Sequence, residues 1–153
     1  MQDLRVSLVQ QALAWEDPAD NRQQFDALLD AQRPKTDLIV LPEMFTTGFS
    51  MNALANAEEP GGETEQWLCA VAERHACAVT GSIAVREGDA VFNRLLFATP
   101  DTLVHYDKRH LFRMAGEHKR YAPGRERVII AVSYTHLRAH ETSSSISYAV
   151  FCL

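Results

Sequence analysis

The chain has 153 residues, of which 46% are hydrophobic and 23% charged, and its formal net charge at pH 7 is -5. These proportions are typical of a globular domain and exclude collagen-like, low-complexity and disulfide-scaffold proteins. The acidic balance argues against a nucleic-acid partner, and no apolar run is long enough for a membrane span. We therefore expect a cytoplasmic protein that binds neither nucleic acid nor membrane.

The chain begins with a predicted βαβ unit. Apolar and polar residues alternate from Leu4 to Val9, which predicts a strand with one buried face. Asp17 and Pro18 favour a helix N-terminus, and apolar residues recur at helical spacing until Pro34. The apolar run from Asp37 to Leu41 predicts a buried strand, parallel to the first because a helix connects them.

A loop from Phe45 to Gly62 leads to a second amphipathic helix, in which we expect Trp67 to be a core residue and Thr64 is a candidate cap. Turn signals then separate three predicted antiparallel strands, at Ala78 to Val85, Val91 to Ala98 and Thr102 to Tyr106. The segment between Lys108 and Gly124 is polar and irregular. Another buried strand is predicted to begin at Val128.

The spacing of the cysteines and histidines does not predict a metal site. It contains three cysteines, Cys69, Cys77 and Cys152, and among its histidines are His105, His110 and His118. The cysteines are odd in number and irregularly spaced, which favours reduced thiols over disulfides or a zinc site. The histidines match no ligand pattern. We expect no metal, and any functional cysteine should act as a thiol.

Two charged residues follow predicted strands and could carry chemistry. Glu43 comes two residues after the strand ending at Leu41, and Lys108 comes two residues after the strand ending at Tyr106. Ligands bind at the carboxyl ends of strands in open α/β sheets, so the two could face each other across a pocket. The carboxylate could then accept a proton and the ammonium could stabilise an oxyanion. Glu117 is a weaker candidate, and all three could instead be solvated loop charges.

Several segments resemble, in order, the motifs of the carbon-nitrogen hydrolase (nitrilase) superfamily. They are Leu41-Pro42-Glu43-Met44-Phe45, Tyr106-Asp107-Lys108-Arg109-His110-Leu111-Phe112, and Glu117 followed by Pro123-Gly124. Thr46-Thr47-Gly48-Phe49 and Asn93-Arg94 are also in family-like positions. The most similar branch is the bacterial omega-amidases, and the resemblance runs from Arg5 to about Ile130.

The resemblance implies an α/β fold, the four-layer α-β-β-α sandwich, of which this chain would hold the N-terminal half. It implies that Glu43 is the general base, Lys108 the oxyanion stabiliser and Glu117 a supporting acid, with a cysteine as nucleophile. The implied substrate is the terminal amide of a small 2-oxo acid such as 2-oxoglutaramate, hydrolysed to the acid and ammonia through a thioester. No cofactor is implied, and homo-oligomerisation of the full-length protein is compatible with the family.

The resemblance stops before the nucleophile. Cys69 and Cys77 precede Lys108, whereas the family cysteine follows the Gly124 region, and Cys152 lacks the family's neighbours. Residues Val132 to Thr142 and Ile146 to Leu153 look like the translation of a transposase-type sequencing adapter. We therefore expect residues 1–130 to be the N-terminal part of the hydrolase domain and 131–153 to be a non-native tail, so the chain as written should be inactive.

Other interpretations remain open from the sequence. Residues 136–140 and 146–152 could be a genuine short helix and strand. The chain could be a non-catalytic carboxylate-binding module or a pseudogene fragment. It could also derive from a nitrilase or a carbamoylase of the same superfamily, because the visible motifs specify the reaction more than the substrate.

Overall fold

The computed structural model describes residues 4–132 and 135–138. The helices are α1 (Pro18–Gln32), α2 (Ala53–Asn56) and α3 (Glu63–His75), with a 3₁₀ turn at Glu117–Lys119. The strands are β1 (Val6–Leu8), β2 (Leu38–Val40), β3 (Ala78–Glu87), β4 (Ala90–Ala98), β5 (Leu103–Asp107), β6 (Ile129–Val132) and β7 (Thr135–Arg138).

The first five strands form one mixed sheet in the order β1-β2-β3-β4-β5. β1, β2 and β3 are parallel, whereas β4 is antiparallel to both β3 and β5. The predicted parallel pair and the two antiparallel pairings are thus confirmed. β2 and β5 run in the same direction, so their carboxyl ends lie at one edge of the sheet. This edge carries the candidate site.

Local signals explain where α1 and α3 begin. Asp17 caps α1, its carboxylate accepting the Asp20 N–H at 3.0 Å, and Pro18 is the first helical residue, as predicted. The prediction that Thr64 caps α3 is wrong, because Gly62 is the cap and Thr64 lies inside the helix. The Glu58 carboxylate accepts both the backbone N–H and the hydroxyl of Thr64, so a more distant side chain satisfies the helix N-terminus.

The main core lies between the sheet and the two long helices. It contains Phe25 and Leu29 of α1 and Leu68 and Val71 of α3, packed on the strand residues Ile39, Val79, Ile83 and Leu96. Cys77 is buried in this core, and Trp67 and Cys69 are partly buried against it. Trp67 also donates its indole N–H to Asp26 at 2.9 Å. Its predicted core position is therefore at the margin of the cluster.

One sequence expectation fails at the first strand. Val6 and Leu8 pair with Leu38 and Val40 of β2 and share the sheet face opposite the helices. Their exposed fractions are 41% and 77%, so the strand has no buried apolar face of the kind predicted. The reason is positional, because β1 is the edge strand and the buried cluster of Leu38, Val40, Ala78 and Phe97 on that face does not extend to it.

The segment predicted to be a tail is only partly described. Residues 133, 134 and 139–153, including Cys152, lie outside the described residues. Thr135–Arg138 form strand β7, paired with β6, and not part of a helix at 136–140. Among the described residues, no helix is both long and apolar enough to cross a bilayer.

Candidate active site

The structure brings the three predicted site residues into direct contact. Glu43 follows β2 after Pro42, Lys108 follows the last residue of β5, and Glu117 opens the 3₁₀ turn. The Lys108 Nζ donates to Oε1 of Glu43 at 2.8 Å and to Oε2 of Glu117 at 3.0 Å. The interpretation of these residues as independent solvated loop charges is therefore wrong.

Glu117 is fully buried and every carboxylate oxygen has a donor. Its Oε1 accepts from Asn93 Nδ2 at 2.8 Å, and its Oε2 accepts from Lys108 and from the backbone N–H of Phe112 at 2.6 Å. Gly116, at φ +79°, supplies the left-handed turn that directs the chain into this position. Both oxygens of this buried carboxylate are thus occupied by donors from the protein, which leaves neither free for a bound group.

Glu43 differs from Glu117 in having one open oxygen. Its Oε1 accepts from Lys108 Nζ and from Asn93 Nδ2, both at 2.8 Å. No hydrogen bond from residues 4–132 or 135–138 reaches its Oε2. The Glu43 side chain keeps 14% of its surface exposed, against 0% for Glu117. Oε2 of Glu43 is therefore the carboxylate atom best placed to take a proton from a bound group.

Lys108 is held charged between the two acids. Burial by itself lowers the pKa of Lys108, but the charges and hydrogen bonds of Glu43 and Glu117 outweigh it and raise that pKa above its ordinary value. The ring of Phe49 lies 5.4 Å from the Nζ and contacts Phe112 at a centroid distance of 6.4 Å. The Phe49 ring therefore packs beside the ammonium, and Phe112 packs against that ring.

The backbone of Lys108 is fixed from both sides. Its N–H donates to the Asn93 carbonyl at 2.9 Å, and its carbonyl accepts the Gly124 N–H at 3.0 Å. The preceding residue, Asp107, accepts two hydrogen bonds from the buried guanidinium of Arg94, at 2.6 and 2.9 Å. The position of Lys108 is thus set by β4, by the 124 region and by an ion pair next to it.

The cysteines within the described residues are poor nucleophiles. Burial, together with the Asp37 charge, raises the pKa of Cys77, and burial with the Glu65 charge raises that of Cys69. Cys77 also precedes β3, so it lies at the amino-terminal ends of the parallel strands, whereas Glu43 follows the carboxyl end of β2. Cys69 lies on α3, partly buried against the main core. The motif order likewise excludes both thiols as the nucleophile.

The roles of Asn93 and Phe49 were not predicted from the sequence, although both residues lie in family-like motifs. A signal for Asn93 was present, because an amide in the middle of the apolar strand β4 needs buried polar partners. Within the described part of the chain, no group of three or more His, Cys, Asp or Glu side chains could hold a metal ion.

The arrangement can perform acid–base chemistry on a carbonyl group. A carboxylate with one open oxygen can take a proton from a thiol or a water molecule, and the adjacent ammonium can stabilise the oxyanion that forms. The carbon-nitrogen hydrolase family matches residues 5–146. The chain belongs to the carbon-nitrogen hydrolase family. The match ends beyond residue 130, where the native part of the chain is predicted to stop.

Named relatives of this hydrolase family are similar over the same region. Omega-amidase YafV of Yersinia enterocolitica is 47% identical over 131 residues, which are 85% of this chain and 50% of the relative. The 2-oxoglutaramate amidase of Bacillus subtilis is 30% identical over 125 residues, covering 79% of this chain and 48% of the relative. The chain therefore spans about half the length of the curated relatives it matches.

Solved structures of the superfamily confirm the predicted fold class. A CN-hydrolase superfamily protein from Xanthomonas campestris, with an arsenic adduct in its active site, is 49% identical at a TM-score of 0.86. The similarity covers 90% of this chain and 52% of that one. Saccharomyces cerevisiae Nit3 shares the fold at a TM-score of 0.73 and 24% identity, covering 88% of this chain and 54% of that one. The chain is an incomplete α/β sandwich of the nitrilase type.

Proposed function

We propose that this chain is the N-terminal part of an amidase that hydrolyses the terminal amide of a small 2-oxo acid to the acid and ammonia. The observation that carries the proposal is the Glu43–Lys108–Glu117 cluster, in which one carboxylate oxygen is open beside a fixed ammonium. The 47% identity to an omega-amidase supports the substrate class.

Glu43 is the general base of this mechanism. Its Oε2 takes the proton of a cysteine thiol, and the thiolate attacks the amide carbonyl carbon to give a tetrahedral oxyanion. Collapse of that intermediate breaks the C–N bond, and the Glu43 carboxyl group returns the proton to the leaving nitrogen, which departs as ammonia. A water molecule, deprotonated by Glu43, then hydrolyses the thioester and releases the acid and the thiol.

Lys108 stabilises the oxyanion in both halves of the reaction. An ammonium has three N–H donors, and two of those of Lys108 are directed to carboxylates. The third is the donor that we assign to the substrate oxygen. Glu117 serves as the buried anion that keeps Lys108 charged and in place, and it takes no part in proton transfer.

We further propose that the nucleophile lies in a segment that residues 131–153 replace. The predicted adapter origin of those residues and the half-length match to relatives support this. Sequencing the source locus tests it: a family-like cysteine codon beyond residue 130 is expected. Finding the codons for 131–153 at the locus would overturn the tail assignment.

The activity is tested in a completed enzyme, defined as residues 1–130 of this chain joined to the half of the Yersinia omega-amidase that the chain does not cover. Ammonia release is measured with the terminal amide of a 2-oxo acid, a nitrile and a carbamoyl compound. We expect turnover of the 2-oxo acid amide to exceed that of the other two. Preferred turnover of the nitrile or the carbamoyl compound would replace the proposed substrate class.

Matched variants separate catalysis from binding. Glu43→Gln should reduce ammonia release at least about a hundredfold, the usual contribution of a general base. Glu59→Gln makes the same change at an exposed residue paired with Arg86 and should leave the rate unchanged. A folded completed enzyme that binds the 2-oxo acid amide but releases no ammonia would favour a non-catalytic carboxylate-binding module.

A further inference from the structure

One residue contacts all three members of the cluster, two through its side chain and one through its backbone. Asn93, in β4, is 2% exposed and donates its amide hydrogens to Oε1 of Glu43 and Oε1 of Glu117, each at 2.8 Å. Its backbone carbonyl accepts the Lys108 N–H at 2.9 Å. Both carboxylates and the lysine are therefore tied to the same strand residue.

The amide dictates which oxygens can carry a proton. An Asn NH₂ group has two hydrogens and no acceptor at nitrogen, so each oxygen it contacts has to accept. Oε1 of both carboxylates is thus kept unprotonated. At Glu117 the other oxygen accepts from Lys108 and Phe112, whereas the other oxygen of Glu43 has no donor among residues 4–132 and 135–138.

We propose that Asn93 is the positioning residue that gives the two carboxylates different roles. It directs proton uptake to Oε2 of Glu43 and, together with Lys108 and Phe112, occupies both oxygens of Glu117. The inference rests on the proposed function in one respect, because it takes Glu43 to be the base. Asparagine suits the position because leucine, of similar size, would remove both donors, whereas aspartate would add a third negative charge beside two carboxylates.

The first test is kinetic and uses the completed enzyme. Asn93→Leu should lower kcat at least about tenfold with little change in KM, because Asn93 acts on the base and not on the substrate. The acid limb of the pH–rate profile should move to higher pH, since losing donors to a carboxylate disfavours its charged form. Asn93→Asp should move the limb further, because it adds like charge.

A matched control distinguishes positioning from general destabilisation. Asn21 is also buried and donates its amide to two backbone carbonyls, each at 2.7 Å, outside the cluster. Asn21→Leu should reduce stability and leave the pH–rate profile in place. If Asn93→Leu keeps the parent's kcat and acid limb, or if Asn21→Leu moves the limb equally, the positioning role is wrong.

A second measurement needs no turnover and uses the full 153-residue chain. NMR of the Asn93 side-chain amide should show both protons shifted downfield and protected from solvent exchange, and Glu43→Ala should shift one of them back. Either proton at the position of a solvent-exposed amide would overturn the inference. A folded but inactive completed enzyme would refute the proposed function, and the NMR result would still decide the role of Asn93.

Discussion

Gly124 offers a sharp test of how Lys108 is held. A Cβ at this position would lie 2.0 Å from the Asp107 carbonyl oxygen and 2.7 Å from its carbonyl carbon, whereas ordinary contact begins at 3.4 Å. In Gly124→Ala the two backbones must separate by about 1.4 Å. Asp107 immediately precedes Lys108, whose own carbonyl accepts the Gly124 N–H. The displacement therefore reaches the ammonium.

The expected magnitudes follow from this geometry. Overpacking of this kind costs about 1–3 kcal/mol of unfolding free energy. A misplacement of about 1 Å at a catalytic group can cost roughly a hundredfold in rate, so we expect kcat of the completed enzyme to fall by about that factor. Urea denaturation measures the stability, and ammonia release measures the rate.

Gly88→Ala is the matched control for this substitution. Gly88 has φ +61° and no neighbour within 4 Å of an added Cβ, so alanine should cost about 1–2 kcal/mol through backbone strain alone. Its kcat should remain that of the parent. A Gly124→Ala enzyme with kcat within about threefold of the parent would refute the reasoning, because the contact would then not control Lys108.

Three further substitutions test neighbouring contacts. Arg94→Met leaves the half-buried Asp107 without its partner and should cost about 1–3 kcal/mol in urea denaturation, whereas Arg86→Met breaks an exposed pair and should cost under about 1 kcal/mol. Burial, and then nearby carboxylates, raise the pKa of Tyr121 above its ordinary 10.0. Above pH 10 the unfolded chain therefore loses this proton more readily than the folded chain, and the stability that the neutral phenol contributes is lost as pH rises. Tyr121→Phe should make the alkaline fall in unfolding free energy shallower. Phe49→Ala removes the ring beside the Lys108 ammonium and should lower kcat/KM of the completed enzyme by a few-fold to about thirtyfold.

Local patterns were enough to predict most of the sheet. The apolar run ending at Leu41 and the turn signals around Gly88 specify strands and their directions without knowledge of distant contacts. Once β2 and β5 are known to run in the same direction, Glu43 and Lys108 fall at one edge. The proximity of Glu43 and Lys108 was therefore predictable from the topology together with the family motifs.

The remaining features depend on contacts between distant parts of the chain. Asn93 reaches partners 50 and 24 positions away, and no local pattern identifies which buried amide will do so. The local sequence made Thr64 a candidate cap, but Thr64 donates its own N–H to Glu58, which is held beside Val85 of β3. The exposure of Leu8 likewise follows from the place of β1 at the edge of the sheet, beyond the cluster that buries Val40, and alternation alone does not contain that information.

The central claim is that this chain supplies the base and the cation for a nucleophile that another segment carries. Its most direct test is intact-mass and peptide analysis of the completed enzyme, quenched during turnover of a 2-oxo acid amide. We expect an adduct of the substrate's mass less ammonia on a cysteine of the grafted half, with its formation slowed at least about a hundredfold by Glu43→Gln. An adduct that forms equally fast in Glu43→Gln, or that maps to Cys69 or Cys77, would contradict it.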